Sequence, residues 1–314
     1  MRIVVALLFL AGSVVGQQTS TYSTTQVDIN GYRSASPTEV TSTKSKDGSQ
    51  ATERLASING RMVPIERVQE KILRDDASGR SVERTVQHFD PTGNATNTEK
   101  VVIEEQKSPN GSATITSTKY GTDVNGRMQM TERSVTSKQV NGDSTTSDSV
   151  IERATEDGRF GVVEKRNAVT VKRSNGYDES EMTYRKDPNG SFYPAVRRVT
   201  DHTESSGQSS DNTAEYETGA QGGLQLHSQT AARSYKRADG SVDNEVDVFS
   251  RDVPGVVNDS SRLRLEEHQS IERRQQGNDV VESVSVRRPT VSDPNTLGPA
   301  RQISQTVCHG ACKP

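Results

Sequence analysis

Asn125-Gly126-Arg127-Met128-Gln129-Met130-Thr131-Glu132-Arg133-Ser134-Val135-Thr136-Ser137-Lys138-Gln139-Val140-Asn141-Gly142 is the stretch that decides the fold class. It opens and closes on Asn-Gly, a dipeptide that tolerates positive φ and favours tight hairpins. Between the turns Met128 and Met130 alternate with polar residues, the period of a strand wetted on one face. No apolar stripe at helical spacing runs from one turn to the next. The stretch therefore predicts a strand held between two turns.

The pattern recurs in both directions along the chain. Gly60, Gly93, Gly126, Gly158, Gly190, Gly223 and Gly255 follow one another at intervals of 32 or 33 residues. A second series, Gly48, Gly79, Gly111, Gly142, Gly176, Gly207 and Gly240, runs between them at intervals of 31 to 34. Scattered loop glycines do not keep two interleaved registers, and such a period marks a repeat architecture. Ala113 with Ile115, and Val169 with Val171, show the same alternation. The expected fold is all-β, a repetitive antiparallel strand-turn meander with about 32 residues per strand pair. A β-solenoid and a curled or sandwich-like sheet are the alternatives.

A charge pattern inside the repeat favours the meander over the solenoid. Glu66-Arg67, Glu99-Lys100, Glu132-Arg133 and Glu164-Lys165 stand six and seven residues beyond successive glycines of the first series. One repeat per solenoid coil would stack these like charges directly opposite one another, which destabilises a sheet. A meander separates equivalent residues by an intervening strand, at roughly 9.6 Å.

Composition narrows the classes. Only 29% of residues are hydrophobic and 4% aromatic, with no tryptophan, so a thick apolar core is hard to fill and disorder is the competing reading. The repeat argues against disorder. The net charge of −3, with both signs interspersed, argues against nucleic acid as a partner. A membrane barrel needs lipid-facing apolar rows and aromatic girdles. The eight Tyr and five Phe are spread along the sequence and charges interrupt nearly every strand. Neither a membrane barrel nor any transmembrane span in the mature chain is expected. A propeller blade usually needs 40 or more residues and a richer core.

Residues 1–16 read as a secretory signal peptide: Arg2, an apolar run to Val15, and small residues before the polar switch at Gln17. The chain is therefore expected to be secreted, periplasmic or at the cell surface. Residues 17–40 read as a Ser/Thr-rich arm or leader strand, 41–287 as the repetitive domain, and 288–314 as a proline-containing tail. The tail ends in Cys308-His309-Gly310-Ala311-Cys312. Cys308 and Cys312 either pair with each other, as an exported chain permits, or link the chain to a partner.

No catalytic motif is present. His88, His202, His227, His268 and His309 show no metal-ligand spacing and read as surface residues. No catalytic residue, cofactor or metal is expected. Asp90-Pro91-Thr92-Gly93-Asn94 lacks the glycine and glutamate of a calcium loop and reads as a turn. Asn94, Asn110, Asn189 and Asn258 open Asn-x-Ser/Thr triplets, which glycosylation would use only in a suitable host. Gly176-Tyr177-Asp178 and Asp123-Val124-Asn125-Gly126-Arg127 are similar to fragments of the Tyr-Asp…Gly-Arg motif of the YD repeats in exported bacterial shell and toxin-wrapping proteins. The full motif does not recur at a steady interval, and no function is carried over. The expected function is a non-enzymatic structural or surface-interaction protein meeting an envelope component, a polysaccharide or another protein. An extracellular polymer-acting enzyme or carbohydrate-binding module is the alternative, and a largely disordered secreted protein the other.

Overall fold

A computed structural model describes residues 16–312 apart from 29, 47, 124, 155–158, 188, 220–221, 252–262 and 291–295. The expected signal peptide thus lies almost wholly outside the described residues, as does Asn258. The strands are β1 (Gly16–Val27), β2 (Arg33–Ala35), β3 (Glu39–Lys46), β4 (Ser49–Ile58), β5 (Arg61–Asp76), β6 (Gly79–Phe89), β7 (Ala95–Lys107), β8 (Ala113–Thr122), β9 (Met128–Asn141) and β10 (Ser144–Ala154). They continue with β11 (Phe160–Arg173), β12 (Gly176–Lys186), β13 (Phe192–Ser205), β14 (Gln208–Thr218), β15 (Leu224–Lys236), β16 (Val242–Ser250), β17 (Arg264–Gln276), β18 (Asp279–Arg287) and β19 (Arg301–Gly310).

From β3 onward each strand pairs antiparallel with the next, and the glycine series mark the two ends of the hairpins. Of the first series, Gly60, Gly93, Gly126, Gly190 and Gly223 sit where β4, β6, β8, β12 and β14 turn back, while Gly158 and Gly255 lie outside the described residues; the second series sits at the opposite end. Five-residue loops recur at the first end. In Asp123–Arg127, the Asp123 carboxylate Oδ1 accepts the backbone N–H of Asn125 (2.9 Å) and of Arg127 (2.8 Å). Asp90 does the same for Thr92 and Asn94, and Asp28 for Asn30 and Tyr32. Each aspartate thereby replaces a turn of backbone pairing.

The open meander is corrected by one pairing. β1 pairs with β19 from Ser20↔Gly310 to Gln26↔Ser304, so the sheet closes on itself. β2 and β3 pair with successive parts of β1 and together occupy one position. The nineteen strands therefore form a closed antiparallel barrel of eighteen staves, not a solenoid, an open meander or a sandwich. Residues 17–27, expected in an arm or leader strand, supply β1. Residues 301–310, expected in a tail, supply β19. The expectation of no transmembrane span in the mature chain falls with closure. A barrel spans as a whole through its strands and shows no long apolar segment; among the described residues no helix could do so instead.

Closure is helped by a belt of β-bulges, one in each hairpin that turns at the first-series end from β4–β5 to β18–β19, with a further one in β5–β6. In β9, for example, Tyr120↔Met130 and Lys119↔Glu132 leave Thr131 unpaired; in β13, Ala195 is the extra residue. Each bulge increases the local twist and bends its strand, which a sheet must do to curl.

The barrel is hollow. A compact 34.2 kDa monomer exposes about 13,000 Å². This chain exposes 20638 Å², and no large side chain among the described residues is fully buried. Strands touch their ring neighbours, with one small extra contact between β13 and β15. At eighteen strands a barrel is wide enough to leave an aqueous channel.

Candidate functional site: the two faces of the barrel wall

Directly paired residues of antiparallel strands share a face, so the registers assign every side chain to one side of the wall. One face holds Ala56, Ala113, Ile151, Glu164, Thr183, Val280, Val286 and Cys308, all below a tenth exposed; the other holds Val281 and Ser81. Side chains crowd on the concave side of a curved sheet, so the first face lines the lumen.

The lumenal face carries glutamates ringed by cations. Glu66 pairs with Arg54 (3.3 Å), which also reaches Glu39 (2.9 Å). Glu132 sits between Lys119 (2.6 Å) and Arg153 (2.7 Å). Glu164 sits between Arg166 (2.6 Å) and Arg185 (3.5 Å). Glu215 holds Arg198 at 2.8 Å. In the Glu132, Glu164 and Glu215 groups the carboxylate is recessed and the cation reaches out: the Glu164 side chain is 9% exposed, while Arg185 is 57% exposed. The lumen thus presents guanidinium and ammonium tips over a base of carboxylates.

Near the second-series end of the lumen is an open hollow of about 570 Å³ lined by Thr170, Lys172, Arg173, Asn175, Tyr177, His202 and Glu204. The rings of Tyr177 and His202 stack with centroids 4.7 Å apart. His202 lies between Asp211 (Nδ1 to Oδ1, 2.6 Å) and Glu204 (Nε2 to Oε1, 3.2 Å). Its side chain is only 14% exposed, unlike the surface residue the sequence suggested; His88, His227 and His309 are open to water. Both ring nitrogens are occupied, so the hollow offers a polar, stacked floor and no free base. Among the described residues no group of His, Cys, Asp and Glu is arranged to hold a metal ion.

The convex face differs between its two ends. Close to the first-series turns, paired residues read Leu55↔Pro64, Tyr120↔Met130, Tyr184↔Pro194, Tyr216↔Leu226 and Phe249↔Leu265. Met62, Met128 and Phe160 stand one row nearer the turns and are 45%, 43% and 37% exposed. A row of cations, Arg67, Lys100, Arg133, Lys165 and Arg197, borders this band on alternate strands β5 to β13, with Lys100, Lys165 and Arg197 directly opposite Tyr120, Tyr184 and Tyr216. The cations meet the aromatics: Arg67 lies 5.6 Å from the Phe89 ring centroid, Lys165 4.5 Å from Phe192 and Arg197 5.9 Å from Tyr216. Further down, the convex wall mixes exposed Val150 and Val171 with polar pairs, Asn167 to Asp148 (2.6 Å) and Arg173 to Asp201 (3.1 Å).

The aromatic band is what sequence reading missed. Its members come alternately from the ends of rising strands and the beginnings of falling ones, so they are unevenly spaced in sequence. The bulges also shift the alternation: Met130 faces outward and Glu132, two residues on, faces the lumen. The Glu-cation dipeptides were visible, and the structure gives their members opposite sides, glutamate inward and cation outward.

Cys308 and Cys312 are joined, with Cα atoms 6.0 Å apart, at the end of β19. Asn94 and Asn189 lie in first-end loops and Asn110 in a second-end loop.

No protein-family model and no curated protein matches the sequence. Among solved structures, the outer membrane protein OmpT of Vibrio cholerae is 7% identical, covering 95% of this chain and 99% of that one with a TM-score of 0.37. A bacterial polysaccharide outer membrane secretin is 7% identical, covering 94% and 98% with a TM-score of 0.33. The outer membrane channel DcaP of Acinetobacter baumannii is 10% identical, covering 94% and 95% with a TM-score of 0.28. Likeness at this level assigns neither family nor function.

Proposed function

We propose that the chain is a non-enzymatic barrel of an envelope membrane, of the outer-membrane kind, whose polar lumen passes small hydrophilic solutes. The observation that carries this reading is the closed, hollow ring of eighteen staves with charged groups on its inner wall and an aromatic band on its outer wall. Closure satisfies every strand edge, the condition lipid imposes on any β-structure that enters it. The inner wall then supplies a wetted, ion-paired path. A freely secreted protein would have no use for an outward row of Met62, Met128 and Phe160, so an envelope location fits better than release into the medium.

The test is a planar lipid bilayer to which the purified exported chain is added from detergent. Discrete, long-lived conductance steps are expected, and the protein should stay with membranes through alkaline carbonate washing. Absence of steps together with full extraction by carbonate would remove the reading.

A further inference from the structure

The outward cation row has no role in passing solutes, and its surroundings point to what it meets. Lys100 is opposite Tyr120, Lys165 opposite Tyr184 and Arg197 opposite Tyr216, and each tyrosine has an apolar residue on its other side. The unit cation–tyrosine–apolar residue is thus repeated around the wall at one height. Arg133 and Arg197 have no carboxylate within ion-pair distance among the described residues, although Glu152 is directly opposite Arg133. The apolar band they border runs from Leu55 on β4 to Leu265 on β17, most of the circumference. A folded partner or a second copy would cover a few adjacent strands. A fluid surface can meet the whole ring.

The height of the band adds a second constraint. From Met128 to the row of Arg133 is four steps of the ladder, since Thr131 is bulged out, or about 14 Å along the strand and less along a tilted axis. Below that row the outer wall is mixed, with exposed Val150 and Val171 among polar residues such as Asp148 and Asn167. In the interfacial zone of a leaflet aromatic rings sit at headgroup level and cations reach phosphate. We propose that Arg133, Lys165 and Arg197, with the aromatic band beside them, form a binding belt for the phosphate groups of anionic phospholipids. The belt holds the first-series end of the barrel at a membrane interface. This rests on the envelope-membrane reading and adds a preference for anionic lipid.

The experiment is flotation of the purified exported chain with vesicles of phosphatidylcholine alone, or of phosphatidylcholine with phosphatidylglycerol, at low and high salt. Binding should be tighter with phosphatidylglycerol and weaken with salt. The variant R133Q/K165Q/R197Q should lose on the order of a hundredfold in affinity for the anionic vesicles, given about 1 kcal/mol per surface cation. R133K/R197K should keep most of it. The lumenal variant R166Q/R198Q should keep the lipid preference, and circular dichroism should show strand content unchanged in all. Equal flotation with both vesicle types, or an undiminished preference in the triple variant, would overturn the belt. Self-association through the band without vesicles would overturn it too. Conductance steps in neutral bilayers would survive any of these outcomes, so the channel reading and the belt fail separately.

Discussion

At Gly176 the chain turns between β11 and β12 with φ +154°, and a Cβ placed there would land on the carbonyl oxygen of His202. Gly126 also has positive φ, +76°, yet a Cβ there meets nothing within 4 Å. Gly176→Ala should therefore cost more than Gly126→Ala. Backbone strain alone accounts for about 1–3 kcal/mol, and the collision adds to it only at Gly176. Comparing the two variants by denaturant unfolding checks this, and equal losses would contradict the geometry. The loop aspartates make a second residue-scale prediction. The hydroxyl of Thr92 and the backbone N–H groups of Asn94 and Thr92 hold the Asp90 carboxyl at about 2, below its ordinary value. A depressed folded pKa stabilises the loop above the unfolded pKa, near 3.9. That contribution should fade as pH falls from about 4 through 2. Carboxyl-carbon NMR should show Asp90 titrating at the bottom of this window, and Asp90→Asn should abolish the acid sensitivity of the Thr92 and Asn94 amide signals.

Among the elements, the hairpin β8–β9 shows how a bulge decides what a strand does. Thr131 is the extra residue, and it sets Met128 and Met130 outward while Glu132 joins Lys119 and Arg153 in the lumen. Strict alternation would put Met130 and Glu132 on the same side. Deleting Thr131 makes Met130 and Glu132 neighbours that keep these sides and partners, and removes only the bend and extra twist that the bulge gives the hairpin. The expected loss is roughly 1–3 kcal/mol, read as faster amide hydrogen exchange confined to β8, β9 and their ring neighbours. Unchanged exchange would mean that the bulge is dispensable. The ion pairs themselves are minor terms. Their cations are largely open to water, and exposed pairs contribute about 0–1 kcal/mol each.

For the molecule as a whole, the decisive contact is between its two ends. The hydroxyls of Thr24 and Thr306 are 3.0 Å apart across 282 residues of chain. Bringing such distant segments together costs about 5 kcal/mol on the logarithmic scaling of loop entropy. The β1–β19 ladder can offset this, at about 0.5–1.5 kcal/mol net for each hydrogen bond. Removing residues 301–314 should leave the hairpins formed but open the ring, exposing β1 and β18 as unpaired edges. Such edges template aggregation. Size-exclusion chromatography of the shortened chain should show high oligomers where the full chain elutes as a discrete species; a discrete shortened species would show that closure is not what keeps the wall soluble in detergent.

Much of this was legible in residues alone, because local chemistry fixes local structure. Asn-Gly and Asp-Gly pairs need a turn whatever surrounds them, so the two glycine series located the hairpin ends and the 32-residue period. The lone pair of cysteines and the absence of catalytic motifs were likewise readable one segment at a time. The closed ring was not, because it depends on β1 meeting β19, two segments with no shared motif, read as an arm and a tail. Nor was the aromatic band, since sequence order scatters what antiparallel strands gather and each bulge reverses the alternation used to trace a face. A repeat dictates how each strand pairs with the next. Only the accumulated twist of eighteen staves decides whether the last one finds the first.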